Sequence, residues 1–146
     1  MSDFLAAEKP ILQRLKEEIP GAHVLPMGDL GGLQERGQVT PAIYLSIVTT
    51  TPKNTRTPHS GQLMRQVWAV TVVARSYRDV KGGSGAREQA GPLIHQVITT
   101  LSSWAPQVEG DTYTPLCMPE NEPHQVDHSE SGFIYYTLFF NTEFVI

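Results

Sequence analysis

Residues 62–76 read Gln-Leu-Met-Arg-Gln-Val-Trp-Ala-Val-Thr-Val-Val-Ala-Arg-Ser. The run is long, β-branched and free of proline and glycine, and it alternates as a strand does. Met64, Trp68, Val70, Val72 and Ala74 fall on one face, which predicts the core side. Arg65, Thr71 and Arg75 fall on the other, together with Val67 and Val73. That second face is half polar, so it meets either solvent or a partner.

The neighbours of this strand follow from it. Residues 42–50 form a second β-rich run, with Ile43, Leu45 and Ile47 on one face. The Thr- and Pro-rich segment 51–61 between them predicts an antiparallel hairpin with a long, projecting loop. Residues 133–146 give a closing strand in which Ile134, Tyr136, Leu138, Phe140, Thr142, Phe144 and Ile146 share a face. Residues 3–19 predict a helix capped by Ser2 or Asp3, with Pro10 either kinking it or marking a fresh start. Residues 86–103 predict a second helix from the spacing of Ala90, Leu93, Ile94, Val97, Ile98 and Leu101. Pro92 fits that helix as an early-turn proline if the helix proper begins near Gly91. Short strands are expected at 23–27, 112–118 and near Val126. The sum is a single α+β domain over 1–146: a mainly antiparallel sheet with two helices packed on one face and a long projecting β-hairpin.

Charge is unevenly distributed. Residues 1–87 hold all 11 Lys and Arg and 7 acids, a net +4, whereas residues 88–146 hold 8 acids and no base, a net −8. A chain of this kind can attract copies of itself head to tail, although solvation and chance produce the same pattern. The overall charge of −4 argues against tight non-specific DNA binding, which needs many phosphate-neutralising cations. The lone Cys117 permits no internal disulfide, so a reduced compartment such as a cytoplasm is expected. The N-terminus lacks the pattern of a signal peptide, and no apolar run is long enough to span a membrane.

Candidate chemistry is thin. His124, Asp127 and His128, near Glu120 and Glu122, are the only candidate metal cluster, but Pro119 and Pro123 interrupt it and no zinc-type spacing is present. A solvated acidic loop explains it better. Gly82-Gly83-Ser84-Gly85 occupies the place of an anion cradle between strand and helix, yet matches neither phosphate-binding signature and reads as a flexible connection. Cys117, between Leu116 and Met118, reads as a buried structural thiol. Trp68 and Trp104 read as packing residues. Tyr135, Tyr136, Phe139 and Phe140 lack the basic groove that a base-stacking platform needs, and read as core and interface. No catalytic residue, metal or cofactor is expected. The segment 51–61 is different: Lys53, Arg56 and His59 stand there with no acid. It is either a docking arm on an acidic body or a solvated hairpin tip.

The leading helix, the hairpin carrying residues 66–75, the Gly-rich turn, a second helix ending at Trp104 and the aromatic strand Tyr135-Tyr136-Thr137-Leu138-Phe139-Phe140 occur in that order. Nearly the whole chain thereby resembles the tail terminator proteins of tailed bacteriophages and Mu-like prophages. The resemblance implies a homo-oligomeric ring, commonly of six subunits, that caps the head-proximal end of the tail tube. Such a ring stops tube growth and presents a joining surface to neck or connector proteins. It implies a virion location at the tail–neck junction after assembly in the host cytoplasm, with genomic DNA passing through unbound and no membrane partner.

Lys53, Arg56, His59, Arg65, Arg75, Arg78 and Lys81 are then the candidate contacts to a neighbouring subunit or the tube. Glu109, Asp111, Glu120 and Glu122 are the candidate lining of the channel, because a basic lining would hold DNA by counterion release. The alternatives are another head–tail completion protein, a small metal-dependent enzyme using the His124 region, and a nucleic-acid module using the Arg65/Arg75 face.

Overall fold

The computed structural model describes residues 3–26, 40–53, 61–76, 84–129 and 131–146. Three long strands form its centre: β2 (Ala42–Lys53), β3 (Leu63–Arg75) and β7 (Phe133–Val145). β3 lies between the other two and is antiparallel to both, pairing with β2 from Ala42↔Val73 to Lys53↔Leu63 with a register shift between Ile47 and Thr49, and with β7 from Leu63↔Val145 to Arg75↔Phe133. β1 (His23–Pro26) adds to β2 in parallel, and β6 (Gln125–His128) adds to β7 antiparallel. The sheet order is β1-β2-β3-β7-β6, so an α+β architecture with a mostly antiparallel sheet is observed. The tip of the β2–β3 hairpin, residues 54–60, lies outside the described residues.

Two helices pack on one face, α1 (Glu8–Glu18) and α2 (Ser84–Leu101). Ile11 and Leu15 of α1 and Ala90, Val97 and Leu101 of α2 bury against Ile43, Leu45, Trp68, Val70, Val72, Leu138 and Phe140. The alternation of β3 and β7 thus puts the expected residues on the helix side. Removing such side chains from water is the main stabilising term, about 1.5–3 kcal/mol for each large one.

Several expectations are corrected. α1 begins at Glu8, not residue 3, because Pro10 starts a fresh helix in which its missing N–H falls in the first turn. Asp3 instead closes the preceding turn, accepting from the Leu5 amide at 2.9 Å and the Ala6 amide at 3.0 Å. Pro92 is interior to α2, which starts at Ser84 and takes Gly85 into its first turn. The carbonyl that Pro92 leaves unbonded belongs to exposed Glu88, where water can serve it, while Leu93 beside it is buried.

Residues 112–118 do not form a full strand. β5 (Asp111–Thr112) pairs only with β4 (Gln107–Val108), and the chain then touches β7 through bridges at Tyr113↔Phe144 and Cys117↔Asn141. Pro115, which has no amide donor, lies between those bridges. Cys117 is exposed on this edge rather than buried, and its thiol donates to Asn141 Oδ1 at 2.8 Å.

The second face of the sheet is less polar than its sequence implied. Val73 and Phe133 are 0% and 1% exposed and cluster with Ala42 and Tyr44. The hydroxyls of Thr71 and Thr137 pair across β3 and β7 at 2.9 Å, which satisfies both within this buried layer.

Candidate assembly surfaces

The register of β3 and β7 sets Arg65 directly opposite Glu143, and Lys53 lies diagonally across on β2. One carboxylate oxygen, Glu143 Oε1, accepts from Lys53 Nζ at 2.9 Å, from Arg65 Nη2 at 3.1 Å and from Arg65 Nε at 3.4 Å. The hydrogen bond from Lys53 is the largest cause holding the Glu143 carboxyl below its ordinary range; partial burial opposes it, and Arg65 adds to it. Two cations share one anion, so the cluster keeps a net positive charge at neutral pH. Sequence reading missed Glu143, although it is the only charged residue of β7. Its place as the lone charge of a long strand was the available signal, but its partners depend on register.

Arg75, at the other end of β3, is not a bare surface cation. Its guanidinium stacks over Phe133 at 4.6 Å and its Nε donates to the Ser131 carbonyl at 3.1 Å. Arg56, His59, Arg78 and Lys81 lie outside the described residues. The structure therefore brings Lys53 and Arg65 together and sets Arg75 apart from them.

Among the acids, Glu109, Glu120 and Glu122 are exposed and Asp111 is half-exposed. Glu109 and Asp111 flank the β4–β5 turn at Gly110, whose φ of 81° suits glycine. Asp111 shares an open groove of about 400 Å³ with Thr114 and Glu143. Glu120 and Glu122 belong to the loop before β6.

The same end of the sheet carries an aromatic group on the helix side. Phe4 meets Phe144 edge-on at 5.6 Å, and Phe144 tilts onto Tyr113 at 4.9 Å. Gln66, fully buried on β3, donates to the Phe4 carbonyl at 2.7 Å and so ties the N-terminal turn to this end.

The residues weighed as a metal cluster do not converge. His124 Nδ1 pairs with Tyr136 Oη at 2.8 Å, and Asp127 and His128 are consecutive on β6, so their side chains leave opposite faces. Among the described residues no three His, Cys, Asp or Glu side chains form a metal-holding group. No helix of the described residues is long and apolar enough to cross a membrane.

Comparison with known proteins bears on these surfaces. The family described as "Phage tail terminator protein" matches residues 1–146. A solved chain from the virion of a native gene transfer agent particle aligns over 99% of this chain and 100% of that one, at TM-score 0.60 and 13% identity, and is similar in fold. A second solved chain aligns over 94% of this chain and 90% of that one, at 15% identity and a TM-score of 0.48. No curated protein matches.

Proposed function

The chain belongs to the phage tail terminator family and is a structural tail protein; on that premise we propose that it assembles into a ring, of six subunits and of the Mu-like type, that caps the head-proximal end of the tail tube. The observation that carries this reading is the family match over the full 146 residues. A growing tube ends in an unsatisfied heterologous interface. A ring that complements this interface on one side, and a neck protein on the other, ends polymerisation without chemistry. Similarity to a chain of an assembled virion particle supports a life spent in contact with other structural proteins.

The surfaces support a division of labour. Among the described residues, β2 has a sheet partner on its outer edge only up to Leu45, so Ser46–Lys53 presents backbone donors and acceptors to a neighbour. Lys53 and Arg65 retain spare donors beyond Glu143 and form the described part of the basic contact; Arg56, His59, Arg78 and Lys81 complete it in this proposal, with Arg75 at its far side. Glu109, Glu120 and Glu122 face the bore, where an acidic lining lets DNA slide, while Asp111, in the groove beside Glu143, belongs to the subunit contact.

Localisation tests the reading. Immunogold labelling of purified tails that lack heads should mark one end only. Labelling confined to capsids or completed particles would assign the protein to another neck ring instead.

A further inference from the structure

Where β3 begins and β7 finishes, the helix side of the sheet opens to solvent. Phe4, Leu5, Val145 and Ile146 are 40%, 43%, 50% and 61% exposed there. Between them lies a cavity of about 70 Å³ walled by Phe4, Tyr113 and Phe144, with Asp3 and Asp111 at its sides. That is room for about two waters. Gly61 closes the chain against this end with φ of 84°, and a Cβ added to it would stand 2.6 Å from the Ile146 carbonyl oxygen. The end is therefore tightly built around its opening.

Among the described residues three buried side-chain atoms lack a hydrogen-bond partner, Gln66 Oε1, Trp68 Nε1 and the Tyr113 hydroxyl, and of these residues only Tyr113 lines the cavity. Tyr113 is 4% exposed, and among the described residues its hydroxyl has no hydrogen-bond partner. Buried hydroxyls are almost always paired, so an orphan beside a cavity points to a group that arrives later. Burial first, and then the charges of Asp111 and Asp3, push the Tyr113 pKa up, which places this side chain within the field of both carboxylates. Asp3 already accepts from the Leu5 amide through Oδ1.

We propose that this aromatic-walled, acid-flanked pocket receives an arginine side chain from a neighbouring copy of this chain. The proposal rests on the ring reading above. A guanidinium is flat, stacks on aromatic faces and carries five donors in a fixed fork, so one group can serve Asp3, Asp111 and the Tyr113 hydroxyl together. A lysine ammonium is more strongly hydrated and does not stack. A second copy is the occupant that the charge distribution favours. Every Lys and Arg lies at or before Arg87, whereas Asp111 belongs to the stretch 88–146, which has 8 acids and no base. Head-to-tail contact brings the first part of one subunit against the last part of the next.

The test is sedimentation velocity of the full chain across a concentration series, with thermal melting of the dissociated subunit at low concentration. Tyr113→Phe deletes only the hydroxyl. It should raise the concentration needed for ring formation by about tenfold, the scale of losing one hydrogen bond to a charged group. The dissociated subunit should melt at the wild-type temperature or above it, because the deleted group had no partner to lose. The double variant Asp3→Asn, Asp111→Asn should weaken the ring further. Wild-type assembly of these variants overturns the proposal and leaves the ring reading standing. Intact rings that no longer bind tails would move the arginine to the tube protein and overturn the choice of occupant. A lower melting temperature for Tyr113→Phe with unchanged assembly also overturns it. A wild-type chain that stays solitary, alone and on tails, overturns both readings.

Discussion

Glu143→Gln separates what holds the subunit together from what is left for a partner. In the wild type, Glu143 Oε1 accepts all three hydrogen bonds from Lys53 and Arg65, at 2.9, 3.1 and 3.4 Å. The Glu143 side chain is 23% exposed, but those of Lys53 and Arg65 are 38% and 42% exposed, so solvent screens both pairs. Exposed pairs contribute about 0.2–1 kcal/mol each. The variant should therefore lose about 1 kcal/mol at pH 7, part of it from leaving two cations side by side. The pH dependence has a definite sign. The folded carboxyl titrates below its ordinary value of 4.5, with the Lys53 hydrogen bond as the chief cause. Its contribution is complete above the unfolded pKa and is lost as pH falls through the folded one.

Urea unfolding of the dissociated subunit, followed by the fluorescence of Trp68 and Trp104, should show a gap between wild type and variant at pH 7. The gap should narrow below about pH 4.5 and close at lower pH. No gap at neutral pH, or one that persists in acid, refutes the reasoning. The same variant probes assembly. It frees Lys53 and Arg65, so rings docked by these cations should form at lower concentration even though the subunit is less stable. Lys53→Glu is a poor probe by comparison, since it sets a second carboxylate against Glu143 and unsettles the subunit itself. Lys53→Met tests docking without that conflict.

Pro92→Ala restores an amide donor to the carbonyl of Glu88 inside α2 and should raise subunit stability by about 1–3 kcal/mol in thermal melts. Gly61→Ala sets a Cβ 2.6 Å from the Ile146 carbonyl oxygen at a φ of 84°; it should cost about 1 kcal/mol or more in the same assay. Raising salt should dissociate rings well before it lowers the subunit's melting temperature, because screening acts on exposed charges between subunits and leaves the buried core alone. Sedimentation and melting at matched salt check this.

Much of the fold was legible because burial leaves a period in the sequence. Trp68, Val70 and Val72 of β3, and Leu138 and Phe140 of β7, alternate so regularly that strand and face follow directly. Pro92 misled because local propensity opposes a helix there, whereas the buried stripe from Ala86 to Leu101 favours one and prevails. The polar-looking face of β3 misled for another reason. Thr71 is satisfied by Thr137 and Arg75 by Phe133 and Ser131, and those partners are fixed by register between strands far apart in sequence. The candidate surfaces were legible as charge and not as geometry. Lys53 and Arg65 were visible as cations, but their shared anion was not. Nothing in the spacing of Phe4, Tyr113 and Phe144 announces that they meet.

The length distribution of tails assembled in cells without this protein tests the central claim most directly. The account predicts tubes that run well past their normal length, with normal length restored when the protein is supplied. Tubes that stop at normal length in its absence would contradict it.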